Sequence, residues 1–412
     1  GIPATARTVV VIPAIVGSSG EVDDLAARLE GYFLANRDEH LQFGLLTDFR
    51  DASQEHEPGD DVLLAHARER IEALNRRYGE GGIDPFFLCH RPRRLNPGER
   101  VWMGWERKRG KLCEFTRLLR PGDDAPAAGM SAGDGPARAE QAFSLIVGNA
   151  VREQDPPVRN VITLDADTQL PPDAARRMVG AMSHPLNRPV LNAARRIVQS
   201  GYGMLQPLVG VRLPSAARSP YARTFSCDAG VNPYSREVSD VYQDLFAQGS
   251  FIGKGIYDVD AFLAVMRGRF PENRVLSHDL LESCYARSGV LCGTRLYEGA
   301  PASYSADASR RHRWIRGDWQ LLPWLGRRVP LPGGQSERNP LSALSRWKIA
   351  DNLRRSVIPP ALLGALFLGW FGTDRPAVWT FALLIWSFGP ALVFGIWTLF
   401  RRPAGTPWFR HA

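Results

Sequence analysis

The sequence predicts an α/β domain built on a doubly wound, mostly parallel sheet flanked by helices, followed by a transmembrane helical hairpin. Three observations predict it. Strand-like apolar runs alternate with amphipathic stretches through residues 1–90, acidic residues stand where several of those runs end, and the chain beyond Ser356 is nearly free of charge. Acids at strand ends matter because open α/β sheets bind ligands at that rim.

Arg7 to Ala14 (RTVVVIPA) is β-branched and closed by a proline, so it reads as a buried strand. Gly17 to Gly20 make a turn, and Glu21 to Ala35 alternate apolar and charged residues at helical spacing. Phe43 to Phe49 read as a second strand with Asp48 at its end, Asp61 to Tyr78 as a second amphipathic helix, and Phe86 to His90 as a third strand. Residues 121–137 are rich in Pro, Gly and Ala without an apolar period, and read as a loop. Val158 to Leu164 form a fourth strand delivering Asp165 and Asp167, Asp173 to Met182 a helix, and Pro189 to Ala194 another strand. Helices are expected at Met204 to Leu213 and Glu237 to Phe246. The glycine-rich GSFIGKGIYDVDAF then reads as a loop lining the site.

Ser356 to Gly372 and Ala377 to Phe400 contain no charged residue. The second is long enough to span a bilayer and the first is near the lower limit. The short TDRPA link makes them a hairpin. Arg346, Lys348, Arg354 and Arg355 precede it, Arg401, Arg402 and Arg410 follow it, and only Arg375 lies between. The positive-inside rule puts both outer ends, and the globular domain, on the cytoplasmic side. Leu341 to Arg355 read as an interfacial amphipathic helix. The expected boundaries are a globular domain at 1–335, an interfacial segment at 336–355, the hairpin at 356–400 and a cytoplasmic tail at 401–412. The competing reading is a hairpin buried in a soluble core.

The 412 residues are 44% hydrophobic and 23% charged, with a net charge of +8. That charge suits phosphorylated ligands and an anionic membrane face. No helix-turn-helix, zinc-finger or aromatic ribonucleoprotein motif is present, so nucleic acid is not an expected partner. The five cysteines include no C-x-x-C pair, which speaks against zinc or a dithiol centre. The abrupt start on a strand reads as a piece of a longer protein.

Asp165 and Asp167 carry the first chemical argument. Alternate strand residues share a face, so both carboxylates can point at one spot. Two hard oxygen ligands suit Mg²⁺ or Mn²⁺, which would neutralise a departing nucleoside diphosphate. A solvated turn is the competing reading. Asp48, near the same rim, is a candidate nucleoside contact. Lys111 follows Gly110 at an expected helix start and can reach uracil or phosphate, whereas Arg107, Lys108 and Arg109 read equally as a solvated basic surface. Asp279 opens a helix after Ser277 and His278, as a capping acid or as a general base on an acceptor hydroxyl. Glu282 is its substitute one turn on, and His278 either tunes the acid or packs. In Arg310 to Trp314 (RRHRW), Arg313 can grip pyrophosphate and Trp314 can stack on a sugar or fill the core. The cluster also suits an arginine-rich face against anionic lipid.

The order D, D-x-D, D and then R-W before membrane helices resembles the processive inverting glycosyltransferases of the cellulose synthase type, which have a GT-A fold. GSFIGKGIYDVDAF, RFPENRVLSHDLLESCYARSG and SADASRRHRWIRGDWQL are more specific. They resemble the glucosyltransferase domain of bacterial cyclic β-1,2-glucan synthases (glycosyltransferase family 84), from Val9 to about Trp324 plus the hairpin. The resemblance implies nucleoside binding at Asp48, metal and donor binding at Asp165 and Asp167, a catalytic base at Asp279, and pyrophosphate and acceptor contacts at Arg313 and Trp314. Arg310 stands where the wider pattern has glutamine, an acceptor contact, and His278 where it has glutamate. It further implies UDP-glucose as donor, a growing β-1,2-glucan as acceptor, the inner membrane as location and a phosphorylase-like domain elsewhere in the parent chain. The residues by themselves support nucleotide-sugar transfer, while glucose and the 1,2 linkage come from the resemblance. A linear glucan glucosyltransferase of the osmoregulated periplasmic glucan pathway and a non-catalytic nucleotide-sugar-binding membrane scaffold are the rival readings.

Overall fold

The computed structural model describes residues 1–120, 139–149, 155–225, 240–276 and 278–400. The expected loop at 121–137, Cys227, Ser277 and the tail at 401–412 lie outside them. The chain divides into two compact units, Gly1–Ile349 and Ala350–Ala412.

The first unit is organised by an eight-stranded sheet. Its strands in chain order are β1 (Thr8–Val16), β2 (Leu41–Phe49), β3 (Phe86–Arg91), β4 (Leu145–Val147), β5 (Asn160–Thr163), β6 (Met204–Val211), β7 (Gly255–Asp258) and β8 (Ser288–Glu298). The order across the sheet is β8-β6-β7-β5-β1-β2-β3-β4. β5, β1, β2 and β3 run parallel, as do β6 and β8, while β4 and β7 run antiparallel to their neighbours. Parallel strands covered on both faces are apolar throughout, and every residue of β2 is buried. On β1 the period of two divides the core: Val9 and Val11 join one hydrophobic layer, Val10 and Ile12 the other.

Helices Ser19–Ala35, Asp60–Tyr78 and Ala174–Ser183 cover one face through Leu29, Phe33, Ile71 and Met178. Arg107–Leu118, Val259–Met266 and Asp279–Ala286 cover the other through Phe115, Phe262 and Leu281. The helix after β1 starts where its caps dictate. Ser18 accepts from the Glu21 backbone N–H, and the Glu21 carboxylate reaches back to the N–H of Gly17.

Four local expectations are corrected. Met204 to Leu213 is not helical: it holds strand β6, because Pro207 would break a helix and is instead absorbed at a register shift between Pro207 and Leu208. Pro189 to Ala194 contributes only Val190–Asn192, paired with Ile197–Ser200 in a ribbon outside the main sheet. GSFIGKGIYDVDAF is largely regular, holding β7 and the start of the helix Val259–Met266. Leu341 to Arg355 does not form a helix of its own. One helix runs without a break over Ala343–Gly372, and Ser345, Lys348 and Ile349 near its start are buried within the globular unit. Lys348 donates there to the carbonyls of Gln248 and Gly249, at 3.1 and 2.7 Å.

Two helices are long and apolar enough to cross a membrane, Ala343–Gly372 and Pro376–Trp397. Their apolar side chains point outward, with Phe371 84%, Leu368 71% and Ile385 69% exposed. A hairpin buried in a soluble core would hide them.

Candidate active site

The C-terminal ends of the parallel strands carry the candidate residues. Asp48, one residue before the end of β2, is sealed from solvent at 3% exposure. Arg91, the last residue of β3, grips it with Nε and Nη2, each at 2.8 Å, and donates Nη1 to Glu114 at 2.7 Å. Lys111 Nζ lies 3.0 Å from Asp48 Oδ2 and donates to the Ala14 carbonyl at 2.6 Å. Burial alone would raise the Asp48 carboxyl, but Arg91 and Lys111 outweigh it and hold it below its ordinary value. Burial brings Lys111 down to about 8 despite Asp48. Gly104 is required here, since a Cβ would stand 2.4 Å from Asp48 Oδ2. Asp48 is expected as a nucleoside contact; a ligand reaches it or Lys111 only by displacing these partners.

Asp165 follows β5 and is half-buried. Lys108 and Lys254 hold its two oxygens, Lys254 Nζ at 3.2 Å from Oδ2. Lys254 also pairs with Glu298, at the end of β8. Burial would raise Asp165, yet the two ammonium groups bring it down to about 2. Asp167 is exposed and makes no side-chain hydrogen bond or ion pair among the described residues. The pair does not continue the strand. The Thr168 N–H turns back to the Asp165 carbonyl at 3.0 Å, so the two carboxylates stand in a turn rather than on one strand face.

Asp279 opens its helix as expected. Its Oδ1 is shielded from solvent and accepts no hydrogen bond among the described residues. His278 Nδ1 lies 3.5 Å from that oxygen and 3.0 Å from Glu282 Oε2. Burial opposes the imidazolium, but Glu282 and Asp279 outweigh it and raise His278 above its ordinary value. The three ligating atoms lie within 4.8 Å of one another, and they are the one such group of three among the described residues. Asp165 and Asp167 recruit no third His, Cys, Asp or Glu there.

Asp165 and Asp279 meet through Lys108. Its ammonium binds Asp165 and donates to the Gly253 carbonyl at 2.8 Å. Gly253 has φ +85°, and a Cβ on it would stand 2.8 Å from Asp279 Oδ1. Lys108 feels both acids, which together outweigh its burial and raise its pKa. Lys108 and Lys111 share the helix Arg107–Leu118, so one element reaches both Asp165 and Asp48. Of the two readings of Arg107 to Arg109, the solvated basic surface does not hold for Lys108, which is in the cluster, or for Arg109, which is 5% exposed. Lys254, Glu298 and Arg91 had no signal in spacing, because each pairs across the fold.

Arg310 to Trp314 lie on the helix Tyr304–Gln320. Buried Asp307 anchors Arg310 at 3.2 Å and Arg311 at 2.8 Å, and the Arg310 guanidinium lies 4.8 Å over the half-exposed Trp314 ring. Arg313 is exposed, with no side-chain partner among the described residues, and no contact brings it to Asp165 or Asp279. The far end of this helix does touch the approach to Asp279: the Leu276 N–H donates to Gln320 Oε1 at 2.7 Å.

No family model matches the chain. It is 44% identical over 388 residues to the curated cyclic beta-(1,2)-glucan synthase NdvB of Rhizobium meliloti (strain 1021). The match covers 93% of this chain and 13% of that protein's length. The chain is thus similar to one segment of a cyclic β-(1,2)-glucan synthase.

Proposed function

We propose that the chain is a membrane-anchored, UDP-glucose-dependent glucosyltransferase that extends a β-1,2-glucan with inversion at the anomeric carbon. The observation that carries this reading is the convergence of Asp165 and Asp279, more than a hundred residues apart, on Lys108 and Gly253 at the sheet rim. A carboxylate oxygen shielded from solvent and without a hydrogen-bond donor, as at Asp279, is ready to accept a proton.

In this mechanism Asp279 takes the proton from the acceptor's 2-hydroxyl. The acceptor oxygen forms a bond to the anomeric carbon as the bond to UDP breaks on the opposite side, turning an α donor into a β product. Lys108 and Lys254 stabilise the charge that gathers on the diphosphate. Asp48, Lys111 and Arg91 fix the helix that carries Lys108, and a nucleoside contact at Asp48 is secondary to that. Arg313, Trp314 and Arg310 offer a cation and a stacking ring to the diphosphate and acceptor.

A divalent cation, Mg²⁺ or Mn²⁺, fits the donor set at Asp165 and Asp167. Asp167 presents an unpaired carboxylate, Asp165 adds hard oxygens once a lysine contact exchanges, and such ions keep several waters. When bound, it supplies charge neutralisation at the leaving diphosphate. Basic residues Arg346, Lys348, Arg354 and Arg355 before the hairpin support a cytoplasmic catalytic unit.

The test is polymer synthesis from labelled UDP-glucose and Mg²⁺ by membranes carrying the chain. Asp279→Asn is expected to lower the rate by about a thousandfold, and linkage analysis to find 1,2 bonds. Equal polymer from both chains removes Asp279 as the base. Another linkage transfers the reading to a linear glucan enzyme.

A further inference from the structure

Behind the turn that carries Asp165 and Asp167 lies a separate cleft of about 500 Å³, in the size range of small-molecule sites. Arg28 and Tyr32 enter it from the helix Ser19–Ala35, Gln169 and Leu170 from the segment after Asp167, Arg212 from the end of β6, and Tyr297 from β8. Nothing in the proposed transfer reaction uses this cleft.

Its two arginines are half-buried and, among the described residues, hold no acid. Unmatched nitrogens also occur at Arg109 and Arg269, but those guanidinium groups reach an acid through another nitrogen, Arg109 at Glu106 and Arg269 at Glu337. Among the described residues neither Arg28 nor Arg212 has a side-chain partner, and each hides a nitrogen from solvent without an acceptor, Nη1 of Arg28 and Nε of Arg212. Leaving such a donor unmatched costs about 1–3 kcal/mol, and more for a charged group. Proteins keep such groups where something else answers them. Around them, the Tyr32 hydroxyl donates to the Thr168 carbonyl, and the Arg212 backbone N–H donates to the Glu298 carbonyl at 3.0 Å. Both guanidinium groups sit close enough to Tyr32 to pull its phenol down, against burial that pushes it up to about 12.

We propose that this cleft is a second anion site, which takes a phosphate-bearing small molecule between Arg28 and Arg212 with Tyr32 and Tyr297 alongside. Two guanidinium forks match the oxygens of a phosphate or diphosphate group, which a single ammonium does not. The site adjoins the acid turn without sharing its residues. A methyl placed on Gly299 would stand 3.5 Å from Arg212 Nη2 and 3.9 Å from Asp167 Oδ2, so the guanidinium and the acid flank the same glycine. A ligand held by Arg212 therefore acts on Asp167 through charge.

The probe is inorganic pyrophosphate, titrated calorimetrically without divalent cation into the whole chain in lipid nanodiscs. Arg28→Gln and Arg212→Gln are each expected to weaken binding at this cleft by about tenfold or more, beside the diphosphate contacts at Lys108 and Lys254, which both variants keep. Pyrophosphate binding that both glutamine variants retain in full overturns the site, as does no binding by the native chain. A second measurement needs no variant: phenylglyoxal modification of the native chain, read by mass spectrometry. Pyrophosphate is expected to slow labelling at both Arg28 and Arg212, and equal labelling with and without it overturns the proposal even if the variants do not fold. Because neither readout involves sugar transfer, the cleft and the transferase reading can fail separately.

Discussion

Asp48 and Asp165 look alike in the chain and differ in the fold. Both lie at the ends of parallel strands, and both are met by a lysine from the helix Arg107–Leu118. Asp48 is sealed, with Arg91 bound bidentately and a second acid, Glu114, behind the arginine. Asp165 keeps about a third of its side chain exposed and holds only lysines. An arginine fork locks geometry, whereas an ammonium on a flexible stem is a point charge that exchanges partners. The first acid is thereby part of the scaffold, and the second remains open to ligands.

Three experiments would break or sharpen that contrast. The largest effect is expected from Arg91→Met, which strands Asp48 and Glu114 in the interior. The loss should be about 3–5 kcal/mol of unfolding free energy in a denaturant titration of the globular unit's signal. A loss below about 1 kcal/mol would place Asp48 outside the scaffold. Next, Asp165→Asn should lower glucosyl transfer about a hundredfold while changing stability by no more than about 1 kcal/mol, because Lys254 keeps Glu298 and Lys108 keeps the Gly253 carbonyl. A large loss of stability with retained activity would reverse the two roles. The smallest effect is in acid. Asp165 titrates at about 2 in the fold against an ordinary 3.8, so its contribution is fully present above 3.8 and is lost as pH falls through 2. Native chain should thus lose stability more steeply than Asp165→Asn across that window, and parallel acid curves would show that the lysines do not hold the acid in solution.

Much of this frame was legible because apolar runs ending in an acid are a local signal. Strands β1, β2, β3 and β5 and the helices between them follow from it. Strand β6 was not legible, since Pro207 and Gly210 interrupt any period in MLQPLVGV, and only its neighbours β7 and β8 hold it extended. The continuous helix Ala343–Gly372 was divided in the reading because composition changes near Ser356, whereas the backbone period does not. At the site, Asp48, Asp165 and Asp279 were found by their positions, but their cations were not. Arg91 sits at the end of a neighbouring strand and Lys254 lies nearly ninety residues beyond Asp165, so only the sheet order brings them together. Arg313 remains outside this convergence, on an exposed helical face.

An ammonium group carries three hydrogens. At Lys108 one faces Asp165 and another the Gly253 carbonyl, whose residue lies against Asp279. That leaves a single N–H with which this lysine can greet an incoming oxygen without letting go of the loop or the acid. Arrival of a diphosphate would thus be felt at both carboxylates through one nitrogen atom, a coupling that needs no movement of the sheet.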